Sequence, residues 1–131
     1  MPTQTTLLTD GGGNRVLVAD DEEALRSLLT IRLEQADFEV ITAGDGEEAL
    51  ELLIEAGVTA FDALILDLGM PRMDGFELLE HLGGDLPITI VLSGRDSDDN
   101  RQRAFDLGAT DYIVKPFSPA DLADLIHEYL R

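Results

Sequence analysis

The chain has 131 residues, no cysteine and a formal net charge of -18, from 27 acidic and 9 basic residues. A chain of this length buries one hydrophobic core without help from disulfides. The lack of cysteine leaves nothing to indicate an oxidising compartment or a thiolate metal site. The charge opposes contact with nucleic acid and with anionic membranes, because both are negatively charged themselves. We therefore expect a cytoplasmic protein that binds neither directly.

The first 13 residues show no hydrophobic periodicity and end in three glycines. They lack the basic start and the apolar stretch of a signal peptide, so we interpret residues 1–13 as a disordered leader. Residues 14–131 form the predicted single domain. No apolar run in the chain approaches the roughly 20 residues that span a bilayer.

Three apolar runs in the first half of this domain are predicted strands. They are "RVLVA" from Arg15, "FEVIT" from Phe38 and "FDALIL" from Phe61. Between them, apolar residues recur at a spacing of about 3.6, which predicts two helices whose apolar stripes face the core. These stripes are Leu25, Leu28, Leu29 and Leu33, then Leu50, Leu53 and Ile54.

The second half continues the same alternation of strands and helices. A third helix is capped by Asp74 and presents Phe76, Leu79 and Leu82, and the strand "ITIVL" follows from Ile88. The segment from Asp96 to Leu107 is the weakest predicted helix, because it offers few apolar residues to a core. After the strand "YIV" from Tyr112, Ser118 caps a last helix with Pro119 at its first position. The stripe of this helix is Leu122, Leu125, Ile126, Tyr129 and Leu130.

Strict alternation of helices with strands that are apolar on both faces is typical of a parallel sheet covered on each side. The predicted fold is a doubly wound, five-stranded α/β sandwich with three layers. In such sheets, ligands bind beyond the carboxyl ends of the strands.

Polar residues stand at these strand ends. Asp20 and Asp21 follow the first strand, Asp67 follows the third, Ser93 the fourth and Lys115 the fifth. If the strand order is 2-1-3-4-5, the first and third strands are neighbours and their three carboxylates converge. Two carboxylates about 4 Å apart repel by roughly 4 kcal/mol at an effective dielectric constant of about 20, so the cluster requires a cation.

Mg2+ suits such a cluster, because it prefers oxygen ligands and retains several waters. A metal, a nucleophilic carboxylate, a lysine and a hydroxyl are also the groups needed to accept a phosphoryl group. The residues therefore favour phosphoryl transfer at this edge of the sheet.

The motifs resemble those of the receiver domains of two-component response regulators. The resemblance covers about Asn14 to Arg131 and is carried by "VADD", "LILDLGMPRMDG", "IVLSG" and "DYIVKPF". It implies a flavodoxin-like fold with strand order 2-1-3-4-5. It also implies phosphorylation by a sensor histidine kinase or a phosphotransfer protein, without turnover of a separate substrate. The domain would promote only its own phosphorylation and dephosphorylation.

The resemblance assigns a role to each acid of the cluster. Asp67 would be the phosphoacceptor, and Mg2+ would be held by Asp21, Asp67 and the backbone carbonyl of Gly69. Asp20 would contact the ion mainly through water.

The remaining motif residues would complete the site and transmit its state. Lys115 would pair with the phosphoryl group and form a cis peptide bond with Pro116, and Ser93 would hydrogen-bond to the phosphoryl group. Tyr112 would then turn inward, which switches the surface formed by the fourth helix, the fifth strand and the fifth helix for partner binding or homodimerisation.

Gly69 and Arg95 border the acceptor at positions that vary in this family and are expected to influence phosphoryl lifetime. Arg95 either reaches the phosphoryl group or offsets the local negative charge, and the sequence leaves both roles open.

Each of these residues also has a purely structural interpretation. Asp20 and Asp21 suit a helix N-terminus, Asp67 suits an Asx turn, and Tyr112 suits a core. A receiver-like module that is not phosphorylated would typically lack one of the acids or the lysine. A nucleotide-binding enzyme would carry a glycine-rich loop after the first strand, where the sequence is "ADDEEA". An aspartyl phosphatase would place a second acid at Gly69, so a phosphoacceptor domain remains the prediction.

The excess of acids predicts that stability rises with salt. Like charges neighbour each other in the predicted second helix, where Glu51 lies one turn from Glu47 and from Glu55. Between low and molar NaCl, the melting temperature should therefore increase, since salt screens repulsion beyond about 10 Å at 0.1 M. This behaviour would fit a salt-rich cytoplasm, and the alternative is an acidic mesophilic protein whose surface charge has no such effect.

Screening must be separated from cation binding at the acid cluster. The measurement is therefore made with a chelator present and repeated on Asp21→Ala, where the increase should persist. A melting temperature that stays constant or falls would reject salt adaptation.

Overall fold

The computed structural model of the protein describes residues 14–131, so the predicted leader lies outside the described residues. The strands are β1 (Asn14–Ala19), β2 (Phe38–Ala43), β3 (Ala63–Asp67), β4 (Ile88–Ser93) and β5 (Asp111–Val114). The helices are α1 (Glu23–Gln35), α2 (Gly46–Ala56), α3 (Gly75–Leu82), α4 (Asp98–Asp106) and α5 (Pro119–Leu130). A 3-10 turn, Val58–Ala60, precedes β3.

The five strands pair in parallel in the order β2-β1-β3-β4-β5, which confirms the predicted fold. All five residues of β3 are buried, as expected for a central strand covered on both faces. One core cluster lies between the sheet and α2, α3 and α4, and contains Leu53, Leu79 and Ala104. The other lies between the sheet and α1 and α5, and contains Leu29 and Ile126. The three predicted layers are therefore present.

Some predicted core positions are wrong. Leu28 is 41% exposed, Ile54 72% and Tyr129 39%. Each lies at the edge of a predicted stripe, where the helix surface has already turned away from the sheet. Conversely, Leu78 of α3 lies outside the predicted stripe but is fully buried. Periodicity locates the centre of an apolar face better than its borders.

The third strand is also shorter at its start than predicted. Phe61 and Asp62 precede β3, because Phe61 closes the 3-10 turn by donating its N–H to Val58. The Asp62 carboxylate accepts a hydrogen bond from the backbone N–H of Arg15 at 2.7 Å. A side chain, and not a strand carbonyl, is therefore the acceptor at the start of the β1–β3 pairing. The strand ends in Asp67, which is its last residue.

Local signals for helix starts are confirmed. Ser118 caps α5 by accepting the N–H of Asp121 at 3.2 Å, with Pro119 at the first helical position. Asp74 and Glu77 form a reciprocal capping box at the start of α3. The peptide bond between Lys115 and Pro116 is cis, as the resemblance implied. Across residues 14–131, no helix has the length and apolar character needed to cross a membrane.

The predicted weak helix forms as α4, and Ala104 is its single fully buried residue among the described positions. Phe105 is 41% exposed and therefore adds little to the core. α4 is therefore held to the core by few apolar contacts.

The first residue of α2 packs directly on the loop between β3 and α3. A Cβ atom added to Gly46 would lie 1.9 Å from the backbone oxygen of Met73, a distance that no side chain can occupy. Gly46→Ala should therefore push the loop away and lower the free energy of unfolding by about 2 kcal/mol. Urea denaturation measures the change.

Gly84→Ala is the matched control, because no atom lies within 4 Å of the added Cβ there. It should change stability by less than about 0.5 kcal/mol. Equal effects of the two substitutions would contradict the close packing at Gly46.

Candidate functional site

The carboxyl-terminal ends of the strands, where the polar residues lie, are adjacent in the sheet. In the parallel register, Ala19 of β1 lies beside Leu66, Asp67 of β3 beside Leu92, and Ser93 of β4 beside Val114. Because the strands end together, the residues that terminate or follow them meet at the carboxyl edge of the sheet. This is the edge where the sequence predicted a site.

Three carboxylates cluster at this edge. Asp20, Asp21 and Asp67 each offer an oxygen, and these oxygens lie within 4.8 Å of one another. Asp20 is fully buried, Asp67 is 5% exposed and Asp21 is exposed. The N–H of Glu22 donates to Asp20 Oδ1 at 2.8 Å, which fixes the orientation of the buried acid. The cluster is therefore closed on the side of the core and open on the side of Asp21.

Lys115 lies between the two buried acids. Its Nζ is 3.0 Å from Asp20 Oδ2 and 3.2 Å from Asp67 Oδ1. Burial lowers the pKa of Lys115, but the hydrogen bond to Asp20 and the charges of both acids outweigh it, so the pKa lies above its ordinary value. The lysine therefore stays cationic and offsets part of the carboxylate charge.

The pKa of Asp67 lies above its ordinary value despite this lysine. Burial, followed by the charge of Asp20, raises its pKa, while the N–H of Gly69 and the ammonium group of Lys115 act in the opposite direction. Three carboxylates offset by one ammonium group make an anionic, all-oxygen donor set. Such a set fits a hard divalent cation such as Mg2+.

The loop after Asp67 wraps around its carboxylate. The N–H of Gly69 donates to Asp67 Oδ1 at 3.2 Å, so the Asx-turn geometry of the structural interpretation is present together with the acid cluster. A Cβ added to Gly69 would lie 3.8 and 3.9 Å from the two Asp67 oxygens, an ordinary contact distance. Side chains at this position would therefore face the Asp67 carboxylate, and glycine leaves that approach open.

Ser93 and Tyr112 are connected through the backbone of Arg95. The N–H of Arg95 donates to Ser93 Oγ at 3.1 Å, and the carbonyl of Arg95 accepts the Tyr112 hydroxyl at 2.7 Å. Both side chains are buried, Ser93 at 4% exposure and Tyr112 at 3%. Because Ser93 Oγ accepts the Arg95 N–H, its own proton is free to be donated towards the site.

A cavity of about 520 Å³ opens above these groups. Its lining includes Asp67, Gly69, Ser93, Arg95, Asn100 and Lys115. The structure thus brings every predicted side chain of the acceptor site to one place, and it places Tyr112 behind that site.

Two residues near the site were missed by the sequence interpretation. Asn100 lines the cavity from the first turns of α4, and the guanidinium of Arg101 lies over the Tyr112 ring, 4.7 Å from its centroid. Both lie in the polar run "SDDNRQR", where no periodicity distinguishes a residue that faces the sheet from one that faces solvent.

A second cavity, of about 490 Å³, lies on the other side of Lys115. It is formed mainly by apolar side chains of α1 and of the loop after β5, among them Leu25, Leu28 and Phe117. The exposed Leu28, a wrongly predicted core residue, therefore borders the site.

A family model for the response regulator receiver domain matches residues 16–127. The transcriptional regulatory protein SrrA of Staphylococcus aureus is 40% identical over 122 residues, which cover 90% of this chain and 48% of that protein. The chain therefore spans about half the length of this curated relative.

Solved structures with the same fold include the chemotaxis protein CheY4 of Vibrio cholerae. It is 32% identical with a TM-score of 0.81, covering 89% of this chain and 98% of that chain. A chain of the CheX-CheY complex with BeF3 and Mg2+ from Borrelia burgdorferi is 27% identical with a TM-score of 0.83, covering 90% of each chain.

The raised pKa of Asp67 predicts that its charge opposes folding when no divalent cation is bound. In a chelator at neutral pH, Asp67→Asn should raise the free energy of unfolding by about 1 kcal/mol, because asparagine keeps the shape and removes a charge that is disfavoured by burial and by Asp20. Native stability should also rise as pH falls through the raised pKa of Asp67, and Asp67→Asn should lack that rise. Urea denaturation at several pH values measures both.

Asp85→Asn removes one charge from an exposed position and serves as the control. If it stabilised the protein as much as Asp67→Asn, relief of the overall charge would explain the result and the local repulsion would not. Added Mg2+ should reverse the order, since it stabilises the native site more than the substituted one.

Proposed function

The chain belongs to the response regulator receiver domain family, and on this premise we propose that Asp67 accepts the phosphoryl group. One observation carries the proposal: Lys115 Nζ lies within 3.2 Å of an oxygen of both Asp20 and Asp67, beneath an open cavity. A buried carboxylate with a fixed cation beside it is suited to an anionic, phosphorylated product.

In the proposed reaction, a carboxylate oxygen of Asp67 attacks the phosphorus atom of a phosphohistidine. The P–N bond breaks, the imidazole leaves and takes up a proton, and an acylphosphate forms on Asp67. Lys115 offsets the charge on the phosphoryl oxygens, and the Ser93 hydroxyl donates a hydrogen bond to one of them. Both groups are held in place before the reaction by the contacts described above.

We propose that Mg2+ is held by Asp21, Asp67 and the backbone carbonyl of Gly69, with Asp20 acting mainly through water. When bound, the ion would offset the charge of the acids and of the transferred group. The donor set supports this assignment, because all of its side chains are carboxylates within 4.8 Å of one another.

We propose that the domain turns over no separate substrate and that it catalyses only its own phosphorylation and dephosphorylation. Gly69 and Arg95 are the proposed modulators of phosphoryl lifetime. Glycine leaves the approach to the Asp67 carboxylate open to water, and Arg95 lines the same cavity.

The proposed switch runs from Ser93 to Tyr112 and ends on the surface formed by α4, β5 and α5. Because Tyr112 is already inward in this structure, phosphorylation would increase the population of this position and would not create it. Weak apolar anchorage of α4 supports this location, because elements with few buried contacts move at low cost. Phe105 and Tyr129 are exposed on these helices and offer apolar contacts to a partner or to a second copy.

A sensor histidine kinase or a phosphotransfer protein is the proposed phosphodonor. The apolar cavity beside Lys115 supports contact with a protein, since Leu28 is 41% exposed next to the site. The net charge of -18 disfavours direct contact of this chain with DNA. We therefore propose that regulators of transcription in this family bind DNA through segments other than the receiver.

Incubation with a small acyl phosphate or phosphoramidate and Mg2+ tests the acceptor. Intact-mass analysis should show one phosphoryl group on the native protein and on Asp85→Asn, and none on Asp67→Asn. Hydroxylamine should remove it, as expected for an acylphosphate. In a chelator, the rate of uptake should fall by about 100-fold or more, because the cation's stabilisation of the transition state is lost.

Equal phosphate uptake by the native protein and Asp67→Asn would place the acceptor elsewhere. An unchanged rate in the chelator would remove the metal from the reaction while leaving Asp67 as the acceptor.

A further inference from the structure

Tyr112 is held in its inward position from two directions. Its hydroxyl donates to the carbonyl of Arg95, and the guanidinium of Arg101 covers one face of its ring, 4.7 Å from the centroid. Arg101 also donates to the backbone carbonyl of Tyr112 at 3.4 Å. The ring cannot leave the interior without losing the contact with this cation.

Arg101 connects three parts of the proposed switch. It belongs to α4, it contacts β5 through Tyr112, and it forms an ion pair with Asp96 in the loop after β4 at 2.9 Å. The same loop contains Arg95, whose backbone bonds both Ser93 and Tyr112. Since Ala104 is the one fully buried residue of α4, these contacts of Arg101 add to a small apolar attachment of the helix.

We propose that Arg101 is a positioning residue that stabilises the inward position of Tyr112 and thereby sets the population from which the switch operates. Only the expected effect on the response to phosphorylation rests on the proposed function. The contact itself is a property of the unphosphorylated protein. Removing a partly exposed cation from an aromatic face should shift the balance between inward and outward Tyr112 by about two- to fivefold.

Arg103 provides a matched control on the same helix. Its guanidinium lies 4.3 Å from the centroid of Phe76, and it forms an ion pair with Glu80 at 3.1 Å. Arg103→Gln therefore removes the same charge and the same type of contact as Arg101→Gln, but leaves Tyr112 untouched. Arg101→Lys retains a cation and should stay close to the native behaviour.

The chain has two tyrosines and no tryptophan, so in a Tyr129→Phe background the intrinsic fluorescence reports Tyr112 alone. Acrylamide, a neutral quencher, measures the exposure of this ring without sensing the altered charge. In the unphosphorylated protein, Arg101→Gln should increase the quenching constant by about two- to fivefold, whereas Arg103→Gln and Arg101→Lys should leave it nearly unchanged. Thermal unfolding confirms that each variant is folded under the conditions used.

An unchanged quenching constant in Arg101→Gln would overturn the proposal. An equal increase in Arg103→Gln would also overturn it, because general loosening of α4 would then be the cause. This measurement needs neither Mg2+ nor a phosphoryl group, so its failure is distinct from a failure of Asp67 to be phosphorylated.

The consequence for switching is tested with BeF3 and Mg2+ as the phosphoryl mimic. Arg101→Gln should weaken binding of the mimic by about two- to fivefold, and this effect should vanish in a Tyr112→Leu background, since Arg101 acts through the ring. An effect of equal size in both backgrounds would show that Arg101 acts on the site by another route and would overturn the proposal.

Discussion

Two buried carboxylates share one cation at the carboxyl end of the sheet, and the other features of the site depend on that contact. Asp20 and Asp67 are nearly inaccessible to water, and the ammonium group of Lys115 lies 3.0 and 3.2 Å from their oxygens. Isolated buried carboxylates would be very costly to fold around, whereas a shared ammonium group makes the pair tolerable. The lysine is 95 residues from Asp20 in the chain, so the site exists only once the sheet has assembled.

The site is a local source of instability that the rest of the fold offsets. The pKa of Asp67 is raised first by burial and then by the charge of Asp20, and Lys115 does not fully offset them. Apolar burial in the neighbouring strands offsets this loss of stability, because β3 is buried throughout and the last four residues of β1 are buried as well. A cluster of carboxylates with excess negative charge, held on a rigid apolar support, is suited to binding a cation. The bound cation would then favour the approach of an anionic group. Selection for stability alone would not retain such a cluster, because it destabilises the folded domain.

The backbone of a single residue, Arg95, relates the site to the surface proposed to change. The N–H of Arg95 bonds Ser93 at the edge of the cavity, and its carbonyl bonds Tyr112 beneath α4. Movement of the loop at Arg95 therefore affects both side chains together. α4, with little apolar anchorage, is the element best able to follow, while α1 and α5 are held on the opposite face by a core of large aliphatic residues. The two sides of the sheet thus differ in how firmly their helices are attached.

The sequence by itself determined the elements, the helix caps and the edge of the sheet at which the polar residues lie. Those signals are local: short continuous apolar runs for the strands, an apolar spacing of about 3.6 residues for the helices, the N-caps Asp74 and Ser118, and polar residues directly after apolar runs. The strand order came from the resemblance of the motifs to a family, because periodicity contains no information about which strands are neighbours. Only the tertiary structure decided that Leu28 and Ile54 face solvent and that Arg101 stacks on Tyr112. Both depend on the angle at which a helix meets the sheet and on contacts between residues distant in sequence, neither of which is encoded in a local pattern.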